Sequence, residues 1–311
     1  MADLELLRTL PFEVTGPSNE ARARARGRLL RHIGGAPATG RRRLLVAAAG
    51  LLTAGAIGAL IGLSSQGSGN AAAARVLRNI ATVARTQEAP KPLKRGQFRY
   101  TKSVVAFMSG GKGWNALSPG VREFWMGPTG GRIHERWGKP VFPTAADRQA
   151  WIAAGRPQVS TREDSANIPP THPLPMPTDP DKLYAAINDR AVGHGNGTRP
   201  EMFTLVGDAL RETGASPALR AALYEVAARI PGVQLIGPAK DRIGRRGVAV
   251  AYADGKIHER HELIFDRRTA ALLGEEHVQL DGNPYGYPAG TVTGYSTYVT
   301  SGVVNRRGAR P

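Results

Sequence analysis

The longest apolar stretch of the chain lies near its N-terminus. Residues 44–63 contain no charged side chain, and Thr53 is their only polar one. A helix of that length spans roughly 30 Å, which is the thickness of the hydrocarbon core of a bilayer. The pattern therefore predicts one transmembrane helix over residues 44–63, with a short segment, residues 1–43, before it and a much longer one after it.

The longer segment opens with polar residues and then shows alternating helical and strand periods. Residues 64–70 (SSQGSGN) predict a flexible stalk. Apolar residues at helical spacing predict helices over residues 71–86, 145–154, 180–189, 200–213 and 216–230. Alternating apolar and polar residues predict strands over residues 97–108, 121–126, 132–141, 233–239, 247–253, 256–266, 272–280 and 294–304. Seven prolines between residues 156 and 181 predict a long loop. This order predicts an α+β domain over residues 71–311, a curved antiparallel sheet with helices on one face.

Charge gives the predicted helix an orientation. Residues 1–43 hold nine Lys or Arg residues and four acidic ones, and Arg41, Arg42 and Arg43 lie directly before the apolar stretch. Short flanking segments rich in Lys and Arg stay in the cytoplasm. We therefore expect residues 1–43 inside the cell and residues 64–311 outside it. Two alternatives stay open: a cleaved signal peptide, and a soluble protein with a buried helix.

Composition narrows the function classes. The chain has 311 residues, a net charge of +17 and no cysteine, so disulfides, thiol catalysis and cysteine zinc sites are excluded. The positive charge is spread over the exported part without a dense basic block. For an exported domain this favours attraction to anionic envelope polymers or lipid headgroups, and we expect no nucleic acid partner.

The inner segment contains two candidate helices with apolar residues among the arginines. One hypothesis is a basic helix lying against the anionic inner leaflet. The other is a docking segment for a cytoplasmic protein, such as a sigma factor, in the manner of a helix in a groove. Its apolar anchors would be Leu6, Leu7, Leu29 and Leu30.

No motif in the sequence indicates an enzyme. His258 and His261 are three residues apart on a predicted strand, so their side chains would point to opposite faces and could not share a metal ion. Glu275 and Glu276 are adjacent and are interpreted as solvated charges. We expect no catalytic residue, no metal and no cofactor.

A short repeat accompanies two of the predicted hairpins. Residues 131–136 (GRIHER) recur as residues 255–260 (GKIHER). In each case the hexapeptide would open the second strand of a hairpin, and Asp254 with Gly255 would form the tight turn of the second one. One hypothesis is that the two hairpins are equivalent, although six residues are too few to establish a duplication.

One stretch resembles a known family. Residues 262–275 (ELIFDRRTAALLGE) are similar to the stretch ELIFDPxTGxLLGE of a large uncharacterised family of actinobacterial single-pass membrane proteins, with Arg267 in place of Pro and Ala270 in place of Gly. Residues 174–183, 230–233 and 244–247 extend the match. That family is often encoded beside extracytoplasmic-function sigma factors, so the resemblance implies a role like that of a membrane anti-sigma factor. The order of strands and helices separately resembles the sheets of bacterial lipoprotein carriers.

Together these observations predict a membrane-anchored regulator or sensor, anti-sigma-factor-like, with an exported sensing domain. The alternative is an envelope lipid- or polymer-binding module without a signalling role. An apolar cavity under the sheet would favour the alternative, and a neighbouring sigma-factor gene would favour the regulator.

Overall fold

The computed structural model describes residues 66–128, 130–160, 163–168, 176–212 and 214–311. The predicted transmembrane helix and the inner segment with its four leucine anchors lie outside these residues. Among the helices that are described, none is both long enough and apolar enough to cross a membrane.

The described residues form an α+β domain of five helices and nine strands. The helices are α1 (Gln66–Arg85), α2 (Ala145–Ala153), α3 (Pro180–Ala191), α4 (Thr198–Glu212) and α5 (Pro217–Arg229). The strands are β1 (Phe98–Gly111), β2 (Trp114–Gly127), β3 (Gly130–Trp137), β4 (Glu163–Ile168), β5 (Val233–Lys240), β6 (Arg246–Asp254), β7 (Glu259–Phe265), β8 (Leu272–Gln279) and β9 (Val292–Val304). The prediction of an antiparallel sheet with helices is confirmed at this level.

All nine strands belong to one open antiparallel sheet. Their order is β4-β3-β2-β1-β9-β8-β7-β6-β5, so β9 joins the N-terminal and C-terminal groups of strands. Since successive side chains of a strand point to opposite faces, cross-strand partners share a face across the whole sheet. We call the face that carries Val250 and Leu263 the helix face, and the face that carries Tyr100 and Trp125 the outer face.

The main hydrophobic core lies between the helix face of β5–β7 and four helices. Helix α1 packs against α5 and β5, while α3 and α4 complete the layer. Side chains that are at most 2% exposed fill it: Leu77, Ile80, Leu183, Phe203, Leu223, Tyr224, Leu263 and Phe265. Burial of this many large apolar side chains, at roughly 1.5–3 kcal/mol each, is the dominant favourable contribution to folding.

Helix α1 begins at Gln66, five residues before its predicted start. Residues 66–70 of the segment interpreted as a flexible stalk are therefore helical. Extending an existing helix by one turn costs far less than nucleating it, and the alanines at 71–74 provide a strong helical start.

Two other predictions about local structure are wrong. The proline-rich loop contains an edge strand, β4, because residues 163–168 lie in the proline-free stretch between Pro157 and Pro169 and pair with β3. The turn after β6 is also longer than the predicted two residues. It covers residues 255–258, with Lys256 N donating to Asp254 Oδ1 (2.9 Å) and His258 in the left-handed region (φ 51°). The GKIHER hexapeptide is thus mostly turn, whereas GRIHER lies within β3, and the two are not equivalent.

Candidate functional site

A cluster of charged and polar side chains lies between α4 and the helix face of β7–β9. Helix α4 approaches the sheet closely there: a Cβ atom placed on Gly207 would lie 3.2 Å from Leu263 Cδ2. Phe203 of the same helix contacts His261 edge to face, with ring centroids 5.5 Å apart. The cluster is therefore enclosed by a helix held at short range, and we call it the helix-face polar cluster.

Glu275 of β8 is the centre of this cluster and is only 3% exposed. Its carboxylate receives three groups from three elements. Arg211 Nε of α4 lies 3.1 Å from Oε1, the hydroxyl of Tyr298 of β9 donates to the same oxygen, and His261 Nε2 of β7 lies 3.3 Å from Oε2. Arg211 also pairs with Asp208 one turn earlier on α4. Because a buried carboxylate is stable only when paired and hydrogen bonded, these contacts hold α4 in register with the sheet.

Two histidines stack beside Glu275. The rings of His261 and His277 are 4.7 Å apart and nearly parallel, at 6°. His277 Nδ1 is 2.8 Å from Glu259 Oε1, so each imidazole has its own carboxylate partner. Gln279 Nε2 donates to Glu259 Oε2 at 2.8 Å and to Thr293 Oγ1 at 3.0 Å. The polar network therefore runs along the helix face from α4 to the start of β9.

The pKa values follow from burial and from these partners. Burial acts to raise the pKa of Glu275, but the Arg211 cation and the hydrogen bond with His261 outweigh it, so the pKa falls to about 2. Burial is also the largest influence on His261, and it lowers the pKa of that imidazole. At neutral pH, Glu275 is an anion and His261 is neutral, with Nε2–H donating to the carboxylate.

The two titrating groups of the cluster are enclosed between α4 and the sheet. His261 and Glu275 are 9% and 3% exposed, which leaves little surface for a substrate to contact. Within the described residues, no group of three or more His, Cys, Asp or Glu side chains could hold a metal ion. Buried charged and hydrogen-bonded side chains therefore connect α4 to strands β7–β9.

A second buried carboxylate lies on the outer face. Glu123 of β2 is 1% exposed and receives the hydroxyl of Tyr100 at 2.7 Å. The segment after β9 returns across the outer face: Trp125 Nε1 donates to the carbonyl of Ala309 (2.5 Å), and Arg310 donates twice to Glu123. The hydrogen bonds from Arg310 have the largest effect on the pKa of Glu123 and lower it to about 2, against the effect of burial. The last residues of the chain are thereby fixed to the sheet.

The residues singled out from the sequence have different positions. Leu6, Leu7, Leu29 and Leu30 lie outside the described residues. His258 lies in the β6–β7 turn, where Nδ1 is 2.8 Å from the carbonyl of Asp281, whereas His261 is in the polar cluster, so the two do not meet.

The interpretation of Glu275 and Glu276 as solvated charges is wrong for Glu275, which is buried on the helix face. Glu276 pairs with Arg242 at 2.8 Å on the outer face. The sequence signal for the cluster was a set of polar residues at alternate positions of two adjacent strands, Glu259 and His261 in β7 and Glu275, His277 and Gln279 in β8.

Comparisons with known proteins add little. No protein-family model matches this chain. No curated protein matches it either. Among solved structures, a chain from the complex of Pseudomonas aeruginosa MucA and MucB aligns with 13% identity over 78% of this chain, with a TM-score of 0.27. The alignment covers 59% of that chain. A TM-score of this size is too low to support a functional conclusion.

Proposed function

We propose that the chain is a membrane-anchored regulator or sensor. In this proposal residues 44–63 cross the membrane, residues 66–311 form an exported sensing domain, and residues 1–43 bind a cytoplasmic partner in the manner of an anti-sigma factor. The curved, lipoprotein-carrier-like form of the sheet expected from the sequence belongs to the same proposal. No catalytic step is assigned to the domain.

The observation that carries the proposal is the position of α1. Only Ser64 and Ser65 separate the apolar segment from the start of this helix at Gln66. The helix is also part of the domain core, because Leu77 and Ile80 are at most 2% exposed and Arg85 pairs with Glu225 of α5. A change in the packing of the helices would therefore act on a helix that is separated from the apolar segment by only two residues of sequence. A module tethered only to stay near the membrane has no need of such a connection.

In this proposal the helix-face polar cluster is the element whose contacts change when the domain senses its signal. Helix α4 is held on the sheet by Arg211, Glu275 and His261, and it packs in the same helix layer as α5 and α1. Loss of these contacts would loosen the layer to which α1 belongs. Removing one partner of a buried charge pair costs several kcal/mol of stability. The docked and undocked arrangements of α4 would therefore differ clearly in free energy.

Capture of a cytoplasmic partner by the full-length chain tests this proposal. Tagged chain in detergent-solubilised membranes is compared with a variant carrying Leu6→Ala, Leu7→Ala, Leu29→Ala and Leu30→Ala. If the leucines are anchors, each substitution costs roughly 1–2 kcal/mol of binding, and a captured protein is lost. A matched variant with Arg22, Arg24, Arg26 and Arg28 changed to Gln separates this result from charge-driven contact with lipid. Recovery of the same proteins with all three chains would refute the regulator proposal.

A further inference from the structure

The outer face of β1–β4 brings together cations that are far apart in the sequence. Lys102 comes from β1, and β3 contributes Arg132 and Arg136. Lys102 is opposite Glu123 of β2, and Glu123 and Trp125 of β2 are in turn opposite His134 and Arg132 of β3. Arg136 is two residues from His134, so it lies on the same face. The segment after β9 adds the remaining members: Arg306, Arg307 and Arg310. We call these six residues the outer basic surface.

The segment after β9 is held on this surface by contacts along its length. Arg307 lies over the ring of Phe98 at 5.5 Å, and its Nη1 is 3.4 Å from Asn167 Oδ1 of β4. Arg310 reaches Glu123 of β2 from the same segment. Arg307 and Arg310 therefore contact strands β1, β2 and β4, and the exposed Arg306 lies directly before Arg307 in the same segment.

The charges on this surface do not cancel. On the outer face of β1–β4 and in residues 305–311, all of which are described, the side-chain carboxylates are Glu123 and Glu163. Six cations against two carboxylates leave a surplus of four positive charges (6 − 2 = 4). Arg310 occupies both oxygens of Glu123, and Arg136 is farther from it, at 3.9 Å. The guanidinium group of Arg136 therefore keeps most of its hydrogen-bonding capacity.

The kind of side chain present indicates the kind of anion. Five of the six cations are arginines, whose planar guanidinium groups bind phosphate through two parallel hydrogen bonds. The aromatic residues of this face, Phe98, Tyr100 and Trp125, are at most 7% exposed, so they cannot stack on nucleobases. Among the described residues, no large hydrophobic side chain is exposed on this part of the outer face, which leaves nothing to insert into a lipid bilayer.

We propose that the outer basic surface binds a phosphate-bearing anionic polymer. The inference goes beyond the proposed regulatory function, because it assigns a ligand class to a face of the domain that the regulatory argument does not use. Binding is electrostatic and comes from several phosphate groups held at once, so its strength falls steeply as salt is added.

The test uses long-chain inorganic polyphosphate and the full-length chain in neutral detergent, with affinity measured over a range of salt concentrations. The variant carries Lys102→Gln, Arg132→Gln and Arg306→Gln, and leaves the pairing of Arg310 with Glu123 intact. The control carries Arg78→Gln, Lys182→Gln and Arg190→Gln, which removes the same charge from exposed positions of α1 and α3. Thermal unfolding of each chain verifies that it is folded.

We expect the variant to bind polyphosphate at least about tenfold more weakly than the wild type at low salt. The slope of log affinity against log salt should be smaller by about 2–3, because three phosphate contacts are lost. The control should stay within about twofold of the wild type. Equal weakening of variant and control would overturn the proposal, since it would show only the effect of net charge. Binding to phosphatidylglycerol vesicles without binding to polyphosphate would overturn it in favour of a membrane surface.

Discussion

Arg310 and Glu123 form a two-fold hydrogen-bonded ion pair across 187 residues of sequence. Arg310 Nε is 2.5 Å from Glu123 Oε1, and Nη2 is 2.7 Å from Oε2. Glu123 is on β2, an inner strand of the sheet, and is 1% exposed, whereas Arg310 lies near the end of the chain. The pair therefore joins the C-terminal segment to the interior of β2 and neutralises a carboxylate that would be costly to bury alone.

Acid should weaken the fold through Glu123. Its pKa is about 2 in the folded chain and 4.5 in the reference state, so the carboxylate contributes its full stability above about pH 4.5. That contribution is lost progressively as pH falls from 4.5 toward 2. We expect the difference in unfolding temperature between wild type and Glu123→Gln to shrink over that range. Arg310→Gln should move the loss to higher pH, because Arg310 is the main cause of the lowered pKa. A constant difference at all pH values would contradict this account.

His261 should make stability depend on pH in a different range. Burial lowers its pKa below 6.5 in the folded chain, so the unfolded chain takes up a proton first as pH falls. The free energy of unfolding should therefore decrease below about pH 6.5, with a slope of up to about 1.4 kcal/mol per pH unit. In His261→Gln, which keeps a donor toward Glu275, this part of the slope should disappear. Urea unfolding of both chains at several pH values measures it, and equal slopes would show that His261 does not titrate as described.

The turn after β7 contains Ala270, a non-glycine residue in the left-handed region of backbone conformation. Ala270 has a φ of 53° and is 0% exposed, and its carbonyl accepts from the hydroxyl of Tyr224 (2.5 Å) and from Arg220. Glycine relieves the left-handed backbone but loses a buried methyl group, so Ala270→Gly should stay within about 1 kcal/mol of wild type.

Ala270→Val should lose more than about 2 kcal/mol, because a branched side chain is both strained and overpacked there. Thermal unfolding should therefore shift by several degrees in the Val variant and little in the Gly variant. Similar losses in both variants would mean that packing of the methyl group, rather than backbone conformation, determines the tolerance at this position.

A chelator should leave the folded chain unchanged. The described residues contain no group of three side chains placed to hold a metal ion. His258 lies in the β6–β7 turn beside Asp281, whereas His261 lies in β7 beside Glu275. The unfolding temperature is therefore expected to be the same with and without EDTA. A decrease with EDTA that zinc restores would show that these histidines, or residues outside the described ones, bind a metal.

Much of the fold could be predicted because local patterns agree with tertiary packing. In α5, Leu223, Val226 and Ala227 follow the helical spacing from which this helix is predicted, and all are at most 1% exposed. The two related hexapeptides show the limit of such patterns. GRIHER pairs with β2 along its length, whereas GKIHER follows Asp254, whose side chain accepts from Lys256 N and begins a turn. The same letters therefore form a strand or a turn according to the neighbouring contacts.

The candidate site could not be predicted in the same way. Glu275 becomes buried because the register of β7 and β8 brings it beside Leu263 and because α4 places Arg211 over it. Neither the register nor the position of a helix 64 residues earlier (275 − 211 = 64) follows from local sequence. The outer basic surface was missed for the same reason, since its cations come from two strands and the end of the chain and form no run in the sequence.

Cysteine labelling in intact cells shows directly on which side of the membrane each part of the chain lies. The chain has no native cysteine, so Ser18→Cys and Ser301→Cys each give one reactive thiol, the first in the inner segment and the second at an exposed position of β9. A membrane-impermeant maleimide should label Ser301→Cys in intact cells, and Ser18→Cys only after permeabilisation. Labelling of Ser18→Cys in intact cells, or protection of Ser301→Cys until the membrane is opened, would contradict the account.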